Sequence, residues 1–137
     1  MNYAVVFRLL GYILLCEGGL MGLPALVSIL YGEWEVLRVF LFTIALCCLI
    51  GGALTRIKPR SRIFYMREGC VTAALTWVVI SVMGAVPFVL SGAIPDPIGA
   101  LFETVSGFTT TGASVLADVE SLPMGILFWR SFTHWIG

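Results

Sequence analysis

Apolar residues run almost unbroken from Ala4 to about Leu30, from Val36 to Leu54 and from Gly69 to about Leu90. Each run reaches the roughly 20 residues a helix needs to cross a bilayer. The pattern therefore predicts three membrane helices, with short polar breaks at Tyr31–Glu35, Thr55–Glu68 and Ser91–Asp96. Within the first run, Arg8 can snorkel to the interface. Glu17 lies nine residues further on, about half a turn out of phase, so the two cannot pair along one face. An intramembrane carboxylate is costly, so Glu17 is expected to hydrogen-bond to a neighbouring helix, with a transport role as the alternative. Gly18 and Gly22 form a G-x-x-x-G step for close helix approach, and Pro24 predicts a kink. Tyr31 and Trp34 suit an interfacial belt. Trp77 reads as packing, and Pro87 as a bend.

After the third run the pattern changes. Asp96-Pro97 is a helix start, with Asp as N-cap and Pro in the first turn. A short helix follows, then Thr109-Thr110-Thr111-Gly112 and a polar loop, then a new apolar run from Ser121 and Pro123. Non-helical chain at membrane depth is tolerated only where protein buries it or where it lines a water-filled path. This order predicts a re-entrant segment: a half-helix whose partially negative end faces a cation, then an extended strand over Thr109, Thr110, Thr111 and Gly112 whose backbone carbonyls replace the ion's water. Threonine favours extended chain, and Gly112 admits dihedrals closed to other residues. Out of this context the same four letters would be an ordinary threonine-rich loop.

Composition narrows the classes. Hydrophobic residues make up 59% of the chain and charged residues 12%, mean hydropathy is +1.01 and net charge is zero. Nucleic acid is not an expected partner; the lipid bilayer is. Five of the eight basic residues, Arg56, Lys58, Arg60, Arg62 and Arg67, fall in the second break, which places that loop and the N-terminus in the cytoplasm by the positive-inside rule. Glu33, Glu35, Asp96, Asp118 and Glu120 then lie outside, either as an acidic rim that concentrates cations or as ordinary solvated loops. The four cysteines, Cys16, Cys47, Cys48 and Cys70, read as small apolar packing residues. No cofactor is expected, and the chain is not expected to be an enzyme: nothing in the sequence places Ser114, His134 and Glu103 together. Arg130 and His134 share a face of the last helix. The N-terminus lacks a cleavage site and reads as a retained helix. From Pro123 the last fifteen residues reach about 22 Å, short of the ~30 Å core, so the chain reads as incomplete.

Four stretches resemble one family: Arg67-Glu-Gly69; Gly84-Ala-Val-Pro-Phe-Val-Leu-Ser-Gly92; Leu101-Phe-Glu-Thr-Val-Ser-Gly-Phe-Thr-Thr-Thr-Gly-Ala113; and Phe128-Trp-Arg-Ser-Phe-Thr-His-Trp-Ile-Gly137. They are similar to the N-terminal part of the TrkH/TrkG branch of the Trk/Ktr/HKT superfamily of potassium transporters. The resemblance implies an all-α integral membrane fold with four helix–pore loop–helix repeats in pseudo-fourfold symmetry. Residues 1–54 would be two additional N-terminal transmembrane helices, 55–68 the basic cytoplasmic loop, and 69–137 the first repeat, cut short in its second helix. Thr109, Thr110, Thr111 and Gly112 would form one of four filter strands, and the glycine would favour potassium. The resemblance also implies potassium uptake across a bacterial inner membrane, the remaining repeats of the same transporter, a cytosolic nucleotide-binding regulatory subunit and a homodimer. The alternatives are a non-transport helical scaffold or partner-binding subunit, or an inactive truncated product.

Overall fold

A computed structural model describes residues 2–137. It contains six helices: α1 Tyr3–Leu20, α2 Gly22–Leu30, α3 Trp34–Thr55, α4 Met66–Leu90, α5 Pro97–Phe108 and α6 Met124–Ile136. Three spans are long and apolar enough to cross a membrane: Tyr3–Leu30, Trp34–Thr55 and Met66–Leu90. Large apolar side chains such as Phe42, Leu49, Val78 and Val82 point outward from them, as helices solvated by lipid require.

The first span is interrupted at Met21, one turn before Pro24. Proline lacks the N–H that would bond the Leu20 carbonyl, and its ring crowds that carbonyl. The irregularity therefore falls upstream of the proline rather than at it.

The seam between α1 and α3 also differs from expectation. A Cβ on Gly11 would lie 2.8 Å from the Gly51 carbonyl oxygen, and one on Gly51 would lie 2.8 Å from that of Gly11. These two glycines let the backbones touch. One on Gly18 would meet Cys47 Cβ at 3.2 Å, whereas Gly22 has nothing within 4 Å. The close-packing pair on α1 is thus Gly11 and Gly18, two turns apart, and not Gly18 and Gly22. Gly22 already belongs to α2, beyond the break.

The core gathers around Trp129 of α6. Its ring meets Phe40 of α3 and Phe108 of α5 edge-on, each with centroids 6.4 Å apart, a favoured aromatic geometry. Its Nε1 donates to the Gly84 carbonyl of α4 at 3.0 Å, in the turn before Pro87. One side chain thus joins four helices. Met21, Phe88 and Ile126, each fully buried, complete the cluster. Of the cysteines only Cys47 packs inside; Cys16, Cys48 and Cys70 are exposed.

Several hydroxyls inside the spans bond along their own helices. Thr43, Thr72 and Thr76 donate to Val39, Glu68 and Thr72 carbonyls at 2.9, 2.7 and 2.8 Å. This back-bonding turns each of these hydroxyls onto its own helix. Glu17 is only 5% exposed, and neither carboxylate oxygen has a hydrogen-bond partner among the described residues. The expected interhelical bond is not made. Thr76 lines the same small apolar cavity as Glu17, but its hydroxyl is already engaged.

Candidate ion-conduction segment

α5 has 12 residues, about 18 Å of helix, half the depth of a bilayer. Its start is set by Asp96, whose carboxylate accepts from Ile98 N and Gly99 N at 3.2 Å each, with Pro97 opening the helix. It leans on α4 and α6. Gly107 abuts Thr133 so closely that a Cβ there would overlap the threonine hydroxyl, and a Cβ on Gly84 would lie 2.8 Å from Thr104 Cγ2. Small residues at these crossings let the short helix sit deep between its neighbours.

The end of α5 is a Schellman turn. Thr109 is the C-cap, Thr110 N–H donates to the Gly107 carbonyl at 3.0 Å, and Thr111 N–H reaches the Ser106 carbonyl at 2.9 Å. This 6→1 and 5→2 pair of bonds needs a left-handed residue just past the cap, normally glycine. Thr110 occupies that place with φ 57°, the one non-glycine residue with positive φ among those described. A β-branched side chain there is strained, and such strain concentrates at functional segments. Gly112 follows with φ 79°. The expected extended strand over all four residues is therefore corrected: Thr109 and Thr110 form the turn, and irregular chain begins at Thr111. Thr109 retains helical bonding because its hydroxyl and N–H both reach the Val105 carbonyl, at 2.7 and 2.9 Å.

All four residues are exposed. Among the described residues, the carbonyls of Thr110, Thr111 and Gly112 accept no hydrogen bond, whereas that of Thr109 takes the Thr110 hydroxyl at 2.7 Å. Hydroxyls of Thr109 and Thr111 meet at 2.8 Å. Three successive free carbonyls beyond a helix C-terminus form a partially negative surface suited to a cation.

Polar straps hold this segment. Ser106 Oγ donates to the Ala113 carbonyl at 2.6 Å. Glu103, 1% exposed, accepts from Ser114 Oγ at 3.0 Å and from Val115 N–H at 3.1 Å. Behind it Arg130 Nε of α6 donates to the same carboxylate at 2.6 Å. Sequence reasoning kept Ser114 and Glu103 apart; the fold joins them. His134 stays out of that cluster, its Nδ1 set 2.9 Å from the Arg130 carbonyl, so no serine–histidine pair arises. The missed signal was one acid and one base, each alone in an apolar helix on either side of the loop, which favours pairing.

The acids expected at the rim are mostly engaged. Glu33 caps α6, accepting from Met124 N and Gly125 N at 2.6 and 2.9 Å. Asp96 caps α5, and Asp118 accepts from Glu120 N at 3.1 Å. Ser121 does not cap α6; its hydroxyl turns back to Asp118.

A family described as TrkH, cation transport protein, matches residues 35–137. The Trk system potassium uptake protein TrkH of Halomonas elongata is 36% identical over the whole chain, which spans 29% of that relative. An uncharacterized cation transporter of Methanocaldococcus jannaschii is 36% identical over 96% of the chain and 27% of its own length. The crystal structure of the potassium transporter TrkH from Vibrio parahaemolyticus superposes with a TM-score of 0.90 at 30% identity, over 99% of this chain and 29% of that one. The chain therefore spans under a third of these relatives. An all-helical fold with a strapped half-helix at its centre, matched across its full extent by membrane cation transporters, identifies the chain as a member of the TrkH family of cation transport proteins.

Proposed function

We propose that this chain is part of a potassium uptake transporter and carries one of four filter strands, with Thr110, Thr111 and Gly112 lending carbonyls to the ion and Thr109 closing the half-helix beneath it. The observation that carries this reading is the run of unbonded carbonyls that follows a left-handed turn at the end of a helix half a bilayer long. The names of the relatives, potassium uptake protein and potassium transporter, support potassium as the transported substrate. Selectivity would arise from the number and field of such carbonyls when three further strands complete the ring. Residues 1–54 would flank that ring, and 69–137 would form its first quarter. On the same reading the protein sits in the bacterial inner membrane with residues 55–68 in the cytoplasm, works as a homodimer and responds to a cytosolic nucleotide-binding subunit.

The test is Gly112→Asp in the complete protein, read as rubidium uptake by cells that depend on it. At φ 79° the new side chain strains the turn, and its carboxylate would trap the ion. Uptake should fall by about tenfold or more, equivalent to at least ~1.4 kcal/mol on the barrier. Unchanged uptake at equal expression would refute the assignment.

A further inference from the structure

A cationic cleft opens away from residues 109–112, among side chains of α1, the end of α3 and the loop that follows it. It occupies about 700 Å³ and is lined by Arg8, Thr55, Arg56, Lys58, Pro59 and Arg62. A second cleft of about 350 Å³ adjoins it along α1. The two share Arg8, Pro59 and Arg62; the second adds Val5, Leu9 and Tyr12. A strongly cationic opening thus continues into a largely apolar trough along α1, beside the end of α3.

None of these cations has an acidic partner among the described residues, whose ion pairs are Arg38–Glu35 and Arg130–Glu103. The nearest acid in sequence, Glu68, is occupied by Asn2 N at 2.8 Å and Tyr65 N at 2.6 Å. Arg8 marks the junction. Its guanidinium lies 5.8 Å from the Tyr12 ring centroid and donates to the Tyr12 hydroxyl at 3.3 Å, so its plane is held by a cation–π contact. Its Nε is buried and has no hydrogen-bond partner among the described residues. A buried unpaired donor on a charged group is costly and points to an acceptor that belongs there.

We propose that the double cleft binds one anionic phospholipid, its phosphate among Arg8, Arg56, Lys58 and Arg62 and one acyl chain along Val5, Leu9 and Tyr12. Arginine forks fit phosphate oxygens in pairs, and basic pockets between membrane helices draw acidic head groups. Inorganic phosphate would use only the cationic half. An acidic protein surface would have no use for the apolar trough of Val5, Leu9 and Tyr12. The combination of both halves favours a lipid.

The experiment uses the complete protein in nanodiscs of phosphatidylcholine with a minority of phosphatidylglycerol, and native mass spectrometry to count phosphatidylglycerol retained on release. The pair Arg8→Gln and Arg62→Gln should lower retention by about tenfold or more. Arg60→Gln with Arg67→Gln removes the same charge from exposed positions outside both clefts and should leave retention unchanged. Arg8→Lys with Arg62→Lys keeps the charge and should retain most of the lipid, which separates binding from misfolding. Equal loss in both glutamine pairs would mean diffuse surface attraction, and no loss in either would mean no site; each overturns the proposal. So does displacement of the lipid by inorganic phosphate alone, which would make this a site for the free ion. Intact lipid retention together with lost association of a soluble acidic protein would assign the cations to that partner instead.

Discussion

Thr110 carries a β-branched side chain in the left-handed region, a conformation that costs non-glycine residues about 1–2 kcal/mol. Thr110→Gly should therefore raise the thermal unfolding midpoint, by an amount worth about 1 kcal/mol, even though it removes a hydroxyl from the segment. A lower midpoint would show that the bond from that hydroxyl to the Thr109 carbonyl outweighs the strain. Glu103 and Arg130 call for a double-mutant cycle. Either one changed alone to Gln leaves its partner's charge confined and should cost about 3 kcal/mol, and the double change should cost clearly less than the sum. Additive losses would mean that the 2.6 Å contact contributes no coupling. Glu17 should behave in the opposite way. Its carboxylate has no partner among the described residues, so Glu17→Met should hold or raise stability, by up to about 2 kcal/mol; a marked loss would reveal a partner supplied by another part of the protein. At this scale the sequence was least informative. The glycine and threonines of the segment stood out by type, but the roles of Glu103, Ser106, Ser114 and Arg130 depend on how α5 docks against α6. No local spacing encodes that docking.

Helices were far more legible. Three long apolar runs and the Asp96-Pro97 start located α1 to α5 within a few residues, because hydrophobic length and capping chemistry act locally. What escaped was anything that needs a second element. The α1–α3 contact runs through Gly11 and Gly51 because each presents its bare Cα to the other's carbonyl oxygen, while the more conspicuous Gly18–Gly22 step spans a helix break. Gly11→Ala should accordingly cost about 1–3 kcal/mol as the backbones are pushed apart, with little change for Gly22→Ala; thermal unfolding of the two side by side decides the matter. The start of α6 was assigned to Ser121 and Pro123, yet its free N–H groups are met by Glu33. Glu33→Ala should cost about 1–2 kcal/mol, as lost caps do, and should show first as faster hydrogen exchange at Met124 and Gly125.

For the molecule as a whole, composition alone pointed to a lipid-solvated bundle, and the superposition on a potassium transporter over nearly the full chain agrees with it. The five cations of residues 56–67 predict an orientation by the positive-inside rule. In a cysteine-free background, a cysteine at Ser61 should react with a membrane-impermeant maleimide only from the cytoplasmic side, and one at Asp118 only from the outside. The reverse pattern would invert the topology and overturn the assignment of residues 55–68 to the cytoplasm.

The bond between Glu33 and α6 joins positions 91 and 92 residues apart, and it runs from the early α2–α3 turn to a helix made much later. During synthesis that turn emerges long before α6 does. The α1–α3 hairpin is thus a waiting template, onto which α4, α5 and α6 are laid down in sequence. A relative without this hairpin would need some other anion to greet α6 as it leaves the ribosome.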